Sequence, residues 1–261
     1  MFPYSPPLRT MIGKLKRRTR RLLEKTATGR RALEAYGLYC SAKFAARHAD
    51  AKALYSHIYE TNFWGDPESV SGPDSTADYT ENLRRELAQL LHRFDVRRVV
   101  DAPCGDFNWF RLVDLPPGVV YAGGDIVEAM ITRNAALYGN GTRSFHVMDI
   151  RHDPLPASDL WVCRNTLFHL SYADIYAALR NGLNSDIQYF LITTHPQRDR
   201  NTDIPTGSYR PLNLERKPFL FPTPLARIDD WAEGEPVRQM CLWHRDKVAA
   251  VVSAAPAKFH A

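Results

Sequence analysis

The sequence predicts an α/β fold: an open, largely parallel sheet with helices on both faces and a helical N-terminal extension. Apolar runs and helix-like segments alternate between residues 97 and 194, and the first three runs each close on a carboxylate. The chain has 261 residues, 44% of them hydrophobic, enough to bury one full core plus an extension.

The extension covers residues 1–60, ahead of a main domain at 61–261. Residues 1–50 hold 12 Lys or Arg against 3 Asp or Glu, and the remainder holds 22 against 26. The net charge of +5 is therefore a +9 arm on a −4 body. Lys14, Lys16, Arg17, Arg18, Arg20, Arg21, Lys25, Arg30 and Arg31 would coat a helix with positive charge. Such a helix suits an anionic membrane surface or another polyanion, and a solvated arm is the equally open reading. The acidic body argues against nucleic acid as the partner. No apolar signal core follows the basic residues, and no run of about 18 apolar residues exists. Cys40, Cys104, Cys163 and Cys241 lie far apart, as reduced thiols of a cytoplasmic protein do, with peripheral contact at the inner membrane left to the arm. Cys104 reads as a packing residue, and no Cys/His/Asp cluster has metal-ligand spacing, so a metal is unnecessary.

An Ala/Tyr/Leu-rich stretch from Ala32 to Tyr59 is expected to pack on the main body. Residues 62–73 form turns around the pair Phe63–Trp64. Ser75 with Asp78 spells a capping box, opening a helix whose Leu83, Leu87, Leu90 and Leu91 share one face. Strands are then expected near 97–101, 119–125, 144–149, 159–163 and 188–194, with helices near 107–114, 127–138 and 171–182. The Pro-rich stretch 196–224 is too long for an ordinary connection and reads as a lid or substrate loop. Two apolar runs, 225–231 and 238–252, would complete the sheet as a terminal hairpin.

Asp101–Ala102–Pro103–Cys104–Gly105–Asp106 follows the first strand, and a second carboxylate, Asp125, closes the next. A strand, a tight turn and an acid at the neighbouring tip make a nucleotide cradle, in which the second acid takes ribose hydroxyls. A dinucleotide wants three glycines there; Gly105 stands alone, and Pro103 and Asp106 would crowd a pyrophosphate. A cofactor with a sulfonium and an α-amino group fits better, with Asp101 accepting from the ammonium and Asp149 near an adenine amine.

These residues resemble those of class I S-adenosylmethionine-dependent methyltransferases over roughly residues 60–250. Asp101–Ala102–Pro103–Cys104–Gly105 stands at the cofactor motif, and Leu160–Trp161–Val162–Cys163–Arg164–Asn165 at the motif bordering the transferred methyl. The resemblance implies a Rossmann-like seven-stranded sheet. It places S-adenosyl-L-methionine against Trp64, Asp101, Ala102, Pro103, Cys104, Gly105, Asp125, Ile126, Met148, Asp149 and Arg164.

More narrowly, the chain resembles a bacterial subfamily associated with polysaccharide and glycan modification. The carrying residues are Trp64–Gly65–Asp66, Phe107–Asn108–Trp109, His169–Leu170–Ser171 and Gly207–Ser208–Tyr209–Arg210–Pro211–Leu212–Asn213–Leu214. Members often have Asp where this chain has Asn165.

An alcohol acceptor gains from a general base. His169, after the fourth strand, is the candidate, with Asn165 orienting substrate or holding the methionine amine. His195 at the fifth strand's tip, with Tyr209, Arg210 and Asn213 on the long loop, would bind a glycan or small-molecule acceptor. Two further readings stand open: an RNA or protein methyltransferase using the basic arm, and a cofactor-binding scaffold without catalysis.

Overall fold

The computed structural model describes residues 26–259 apart from Gly234, so most of the basic segment 14–31 lies outside the described residues. Helix α1 (Ala27–Ala45) opens on Thr26, whose side chain accepts from the Gly29 amide, and α2 (Ala51–Glu60) opens on Asp50. Leu54 and Ile58 of α2 are buried, so this helix packs on the body.

Next come α3 (Glu81–Arg93), β1 (Arg98–Asp101), β2 (Val120–Asp125), α4 (Glu128–Tyr138), β3 (Arg143–Val147), β4 (Leu160–Cys163), α5 (Tyr172–Asn184) and β5 (Tyr189–Thr194). The chain closes with β6 (Ala226–Asp229), β7 (Gln239–His244) and α6 (Arg245–Ser253). Seven strands form one sheet in the order β3-β2-β1-β4-β5-β7-β6, with β7 antiparallel to both its neighbours and the other pairings parallel.

Alternate residues of each strand feed two cores. Val100, Trp161, Cys163, Phe190 and Ile192 pack with α5 and α6 on one face. Val99, Leu160, Val162 and Leu191 pack with α3 on the other, where Tyr138 of α4 also lies. All four α3 leucines are buried, and the terminal hairpin forms as expected.

Three expectations need correction. Residues 107–114 are not an α-helix: Phe107 takes φ +62° and only Phe110–Leu112 makes a short 3₁₀ turn. The break lets Phe107, Trp109 and Phe110 all turn inward, onto a cluster with Tyr121 and Phe145. The capping box does not form, because Ser75 closes a 3₁₀ turn from Pro73 and α3 starts only at Glu81. The second half of the run 238–252 is helix α6 rather than strand.

The stretch 196–224 is a packed strap. Ile204, Leu212, Leu214, Phe219 and Phe221 are buried, and the amides of Gly207 and Arg210 donate to the His169 and Phe168 carbonyls. Among the described residues, no helix is long and apolar enough to cross a membrane.

Candidate active site

Strand order reverses between β1 and β4, and a cavity of about 460 Å³ opens there, at the carboxyl ends of the strands. Its floor is the turn after β1. Gly105 takes φ +57°, and a Cβ at this position would collide with Ser71 Oγ, so only glycine lets the 66–75 segment lie down on the turn.

Asp106 clamps that segment. Its carboxylate accepts from the Ser69 hydroxyl at 2.8 Å, the Val70 amide at 2.9 Å and the Ser71 hydroxyl at 3.1 Å. Asn108 ties the same segment down by donating to Glu68 at 2.8 Å and to the Ser75 carbonyl at 2.9 Å. Trp64 is held over Gly72, which takes φ +102°. The acid that looked unsuited to a pyrophosphate thus serves the backbone.

One end of the cavity has an apolar wall. Ile126, Val127, Met130 and Met148 line it with Tyr55 and Ile58 of α2. Asp125 lies beside that wall, one oxygen accepting from the Gly105 amide and the other from the Val127 amide, both at 3.1 Å. Burial pushes its carboxyl up to about 6 against those bonds. Asp149 also lines the cavity, two residues beyond β3, with its carboxylate engaged by Arg151 at 2.5–3.1 Å. Burial would raise Asp149, but that guanidinium holds it below the usual carboxylate range.

The other end is aromatic. The His169 ring lies 4.7 Å from Phe168, 5.6 Å from Tyr209 and 6.4 Å from Trp64, centroid to centroid. All four residues line the cavity, as does His195. His169 Nδ1 meets the Ser208 carbonyl at 2.8 Å, which leaves the lone pair on Nε2. Burial pushes His169 down to about 4 and His195 down to about 3. Asn165, at φ +54°, donates its amide to Thr193 Oγ1 at 2.8 Å, while its own Oδ1 is buried without a partner. Arg164 lines the cavity with its guanidinium committed to Asp230 at 2.7 and 2.9 Å and stacked 5.2 Å from Trp109. Pro103 and Cys104 reach the wall too, and burial raises the Cys104 thiol far from any nucleophilic role.

Four expected site residues do not reach the wall. Arg210 is 2% exposed and spends its guanidinium on the Leu167 and Leu170 carbonyls. Asn213 donates to the Pro196 and Arg198 carbonyls, fixing the strap from inside. Ala102 is fully buried. Asp101 sits behind the turn, one oxygen accepting from the Tyr121 hydroxyl at 3.0 Å and the other without a partner. Ala102, Asp101 and Arg210 are thus turned into the core, and Asn213 faces away from this cavity, toward the strap's own carbonyls.

Asp101 carries a consequence for stability. Burial pushes its carboxyl up to about 8, opposed by the Tyr121 hydrogen bond and the Arg164 charge. Unfolded, the same group ionises near pH ~4. The folded state therefore holds an extra proton between those values, and stability falls as pH rises through them. Asp125 acts the same way up to about 6. His169 and His195 act oppositely: unfolded they protonate below about 6.5, so stability rises with pH up to that point. Of these four, only Asp101 still titrates from pH ~6.5 to ~8. Over that window the wild-type unfolding free energy should fall by up to about 1.4 kcal/mol per pH unit, lowering the melting temperature, and Asp101→Asn should flatten the fall. An equal slope in both proteins would show that Asp101 does not hold the proton.

Sequence reasoning missed the residues that roof the aromatic end. Asp74, Glu233, Glu235 and Arg238 come from the 66–75 segment and the β6–β7 connection. Arg238 donates to Asp74 at 2.7 Å and to the Tyr79 hydroxyl at 2.8 Å, and Tyr79 in turn donates to Glu235 at 2.8 Å. No motif announces this group, whose two halves lie over 150 residues apart. Among the described residues no cluster of His, Cys, Asp and Glu would hold a metal.

No family model and no curated protein matches the chain. Among solved structures it is similar to PigF with SAH, at 15% identity and TM-score 0.55, over 80% of this chain and 70% of that one. It is also similar to magnesium protoporphyrin IX methyltransferase from Synechocystis PCC 6803 with bound SAH, at 14% identity and TM-score 0.49, over 74% and 93%. Human N-acetylserotonin methyltransferase in complex with SAM gives 15% identity and TM-score 0.42, over 62% and 49%, so this chain spans about half of that protein. The fold is the Rossmann-like seven-stranded fold of class I methyltransferases.

Proposed function

We propose that the chain is an S-adenosylmethionine-dependent methyltransferase that O-methylates a sugar hydroxyl of a glycan or glycoconjugate. One observation carries the reading: one cavity joins an apolar wall beside the Asp125 carboxylate to an aromatic end where His169 keeps a lone pair on Nε2.

The residues present fit the cofactor. Gly105 bares the backbone at the cavity floor, each Asp125 oxygen retains a lone pair for a ribose hydroxyl, and Met148 and Ile126 offer apolar surface to a purine. The unpartnered Asn165 Oδ1 is an acceptor for an ammonium group. S-Adenosylmethionine supplies a methyl group on a sulfonium, ready for in-line displacement.

The chain's part is positioning and proton removal. Trp64, Phe168 and Tyr209 present rings to the apolar face of a sugar, and His169, neutral at pH 7, takes the hydroxyl proton. In this reading residues 61–261 are the cytoplasmic catalytic domain. The extension of residues 1–60 would bring its basic segment 14–31 to an anionic membrane surface.

Asp125→Ala should weaken S-adenosylhomocysteine binding by about 1.5–3 kcal/mol, the scale of a lost charged hydrogen-bond partner. An unchanged calorimetric affinity would remove its ribose role. The acceptor is tested by intact-mass screening of candidate glycans. Gain of one methyl on a sugar oxygen supports the assignment; methylation confined to RNA or protein acceptors refutes it.

A further inference from the structure

His169, in the 3₁₀ turn after β4, and His195, directly after β5, hold their ring hydrogens on opposite nitrogens. His169 Nδ1 faces a carbonyl, which can only accept, so the hydrogen sits on Nδ1 and Nε2 is bare. At His195 the buried backbone decides the reverse. Leu212 is fully buried, and its amide finds an acceptor in His195 Nδ1 at 3.2 Å. The Leu212 carbonyl, 3.3 Å from the same nitrogen, already accepts the His195 amide at 2.7 Å and the Thr194 hydroxyl at 3.4 Å. A buried amide without an acceptor is costly, whereas this carbonyl is already satisfied. His195 Nδ1 therefore accepts, and its hydrogen sits on Nε2.

Neither Nε2 has a hydrogen-bond partner among the described residues, and both residues line the cavity. Both rings pack on Phe168, at 4.7 and 5.4 Å between centroids, so the two histidines lie no further apart than those spans combined. One presents an acceptor and the other a donor to the same aromatic end.

We propose that His195 is a specificity-determining donor that, with His169, selects a vicinal diol. The hydroxyl to be methylated gives its proton to His169 Nε2, and the neighbouring oxygen accepts from His195 Nε2–H. This rests on the methyl-transfer reading. In the step, the acceptor oxygen bonds to the methyl carbon while the carbon–sulfur bond breaks. Its electron pair stays on sulfur, and the hydroxyl proton goes to His169. An acceptor with a single hydroxyl leaves the His195 N–H desolvated and unpaired, which is how the site discriminates.

Long-range ¹H–¹⁵N NMR on the full chain, histidine-labelled and with S-adenosylhomocysteine added, reads both tautomers directly. The expected result is Nδ1–H at His169 and Nε2–H at His195. The probe cis-1,2-cyclohexanediol should then shift the Nε2 signals of both rings, while cyclohexanol leaves His195 unmoved. His195→Phe should weaken diol binding by about tenfold and erase its preference over cyclohexanol, and His195→Gln, which keeps a donor, should preserve that preference. An Nδ1–H tautomer at His195 overturns the proposal, as does a diol response absent or no greater than that of cyclohexanol. Failure of S-adenosylhomocysteine to bind, with the tautomers as expected, strikes the methyl-transfer reading instead.

Discussion

Asp230→Ala should destabilise the protein by about 3–5 kcal/mol, because it leaves the buried Arg164 guanidinium without its counter-charge and takes from Arg238 one of its two carboxylates. The Asp230 side chain is fully buried and accepts from Arg164 at 2.7 and 2.9 Å, with Arg238 Nε 3.6 Å away. Burial alone would raise its carboxyl, but the two arginines hold it below the usual range. Arg164 borders the cavity and also donates to the Asp74 carbonyl, while Arg238 reaches the Asp74 carboxylate. Removing Asp230 therefore cuts the side-chain link from Arg164 at the end of β4 to the β6–β7 connection, while the contacts of both arginines with Asp74 remain. For a chain of this size the loss corresponds to a melting temperature lower by roughly 10 °C. A midpoint unchanged in chemical denaturation would show that the arginines find solvent without Asp230.

His169→Ala should lower turnover on the true acceptor by about two to four orders of magnitude while leaving cofactor affinity intact. The ring is fixed by its Nδ1 bond to the Ser208 carbonyl and wedged among Phe168, Tyr209 and Trp64, so its loss removes an aimed base. Burial that pushes His169 down to about 4 keeps it unprotonated through neutral pH. Activity limited by this base should stay level down to about pH 5 and fall below that. Full activity in the alanine variant would rule out general-base work here.

The strands and the parallel topology were legible because each apolar run is short, ends on a polar tip and alternates with a helical period. The same runs give the carboxyl edge, so Asp125, Asn165, His169 and His195 could be placed at one mouth before any side chain was seen. The misreadings share a physical cause. Strand-tip polarity does not reveal which way the last side chain turns, and Asp101 turns inward to Tyr121. On the strap, Arg210 and Asn213 look like ligand-binding residues, yet both Arg210 Nη atoms and the Asn213 amide nitrogen go to carbonyls that an irregular buried segment must satisfy. The helix expected at 107–114 failed because three aromatics so close together cannot all face inward from one regular helix. The Asp74–Arg238–Tyr79–Glu235 roof exists only once the segment before α3 meets the β6–β7 connection.

The proposed function requires that the cavity after β1 hold S-adenosylmethionine. Calorimetric titration of the full chain with S-adenosylhomocysteine tests it most directly, with NAD as the control ligand. One-site binding in the micromolar range, weakened by Asp125→Ala and absent for NAD, is the predicted result. No binding of S-adenosylhomocysteine, or NAD binding as tight or tighter, would contradict it.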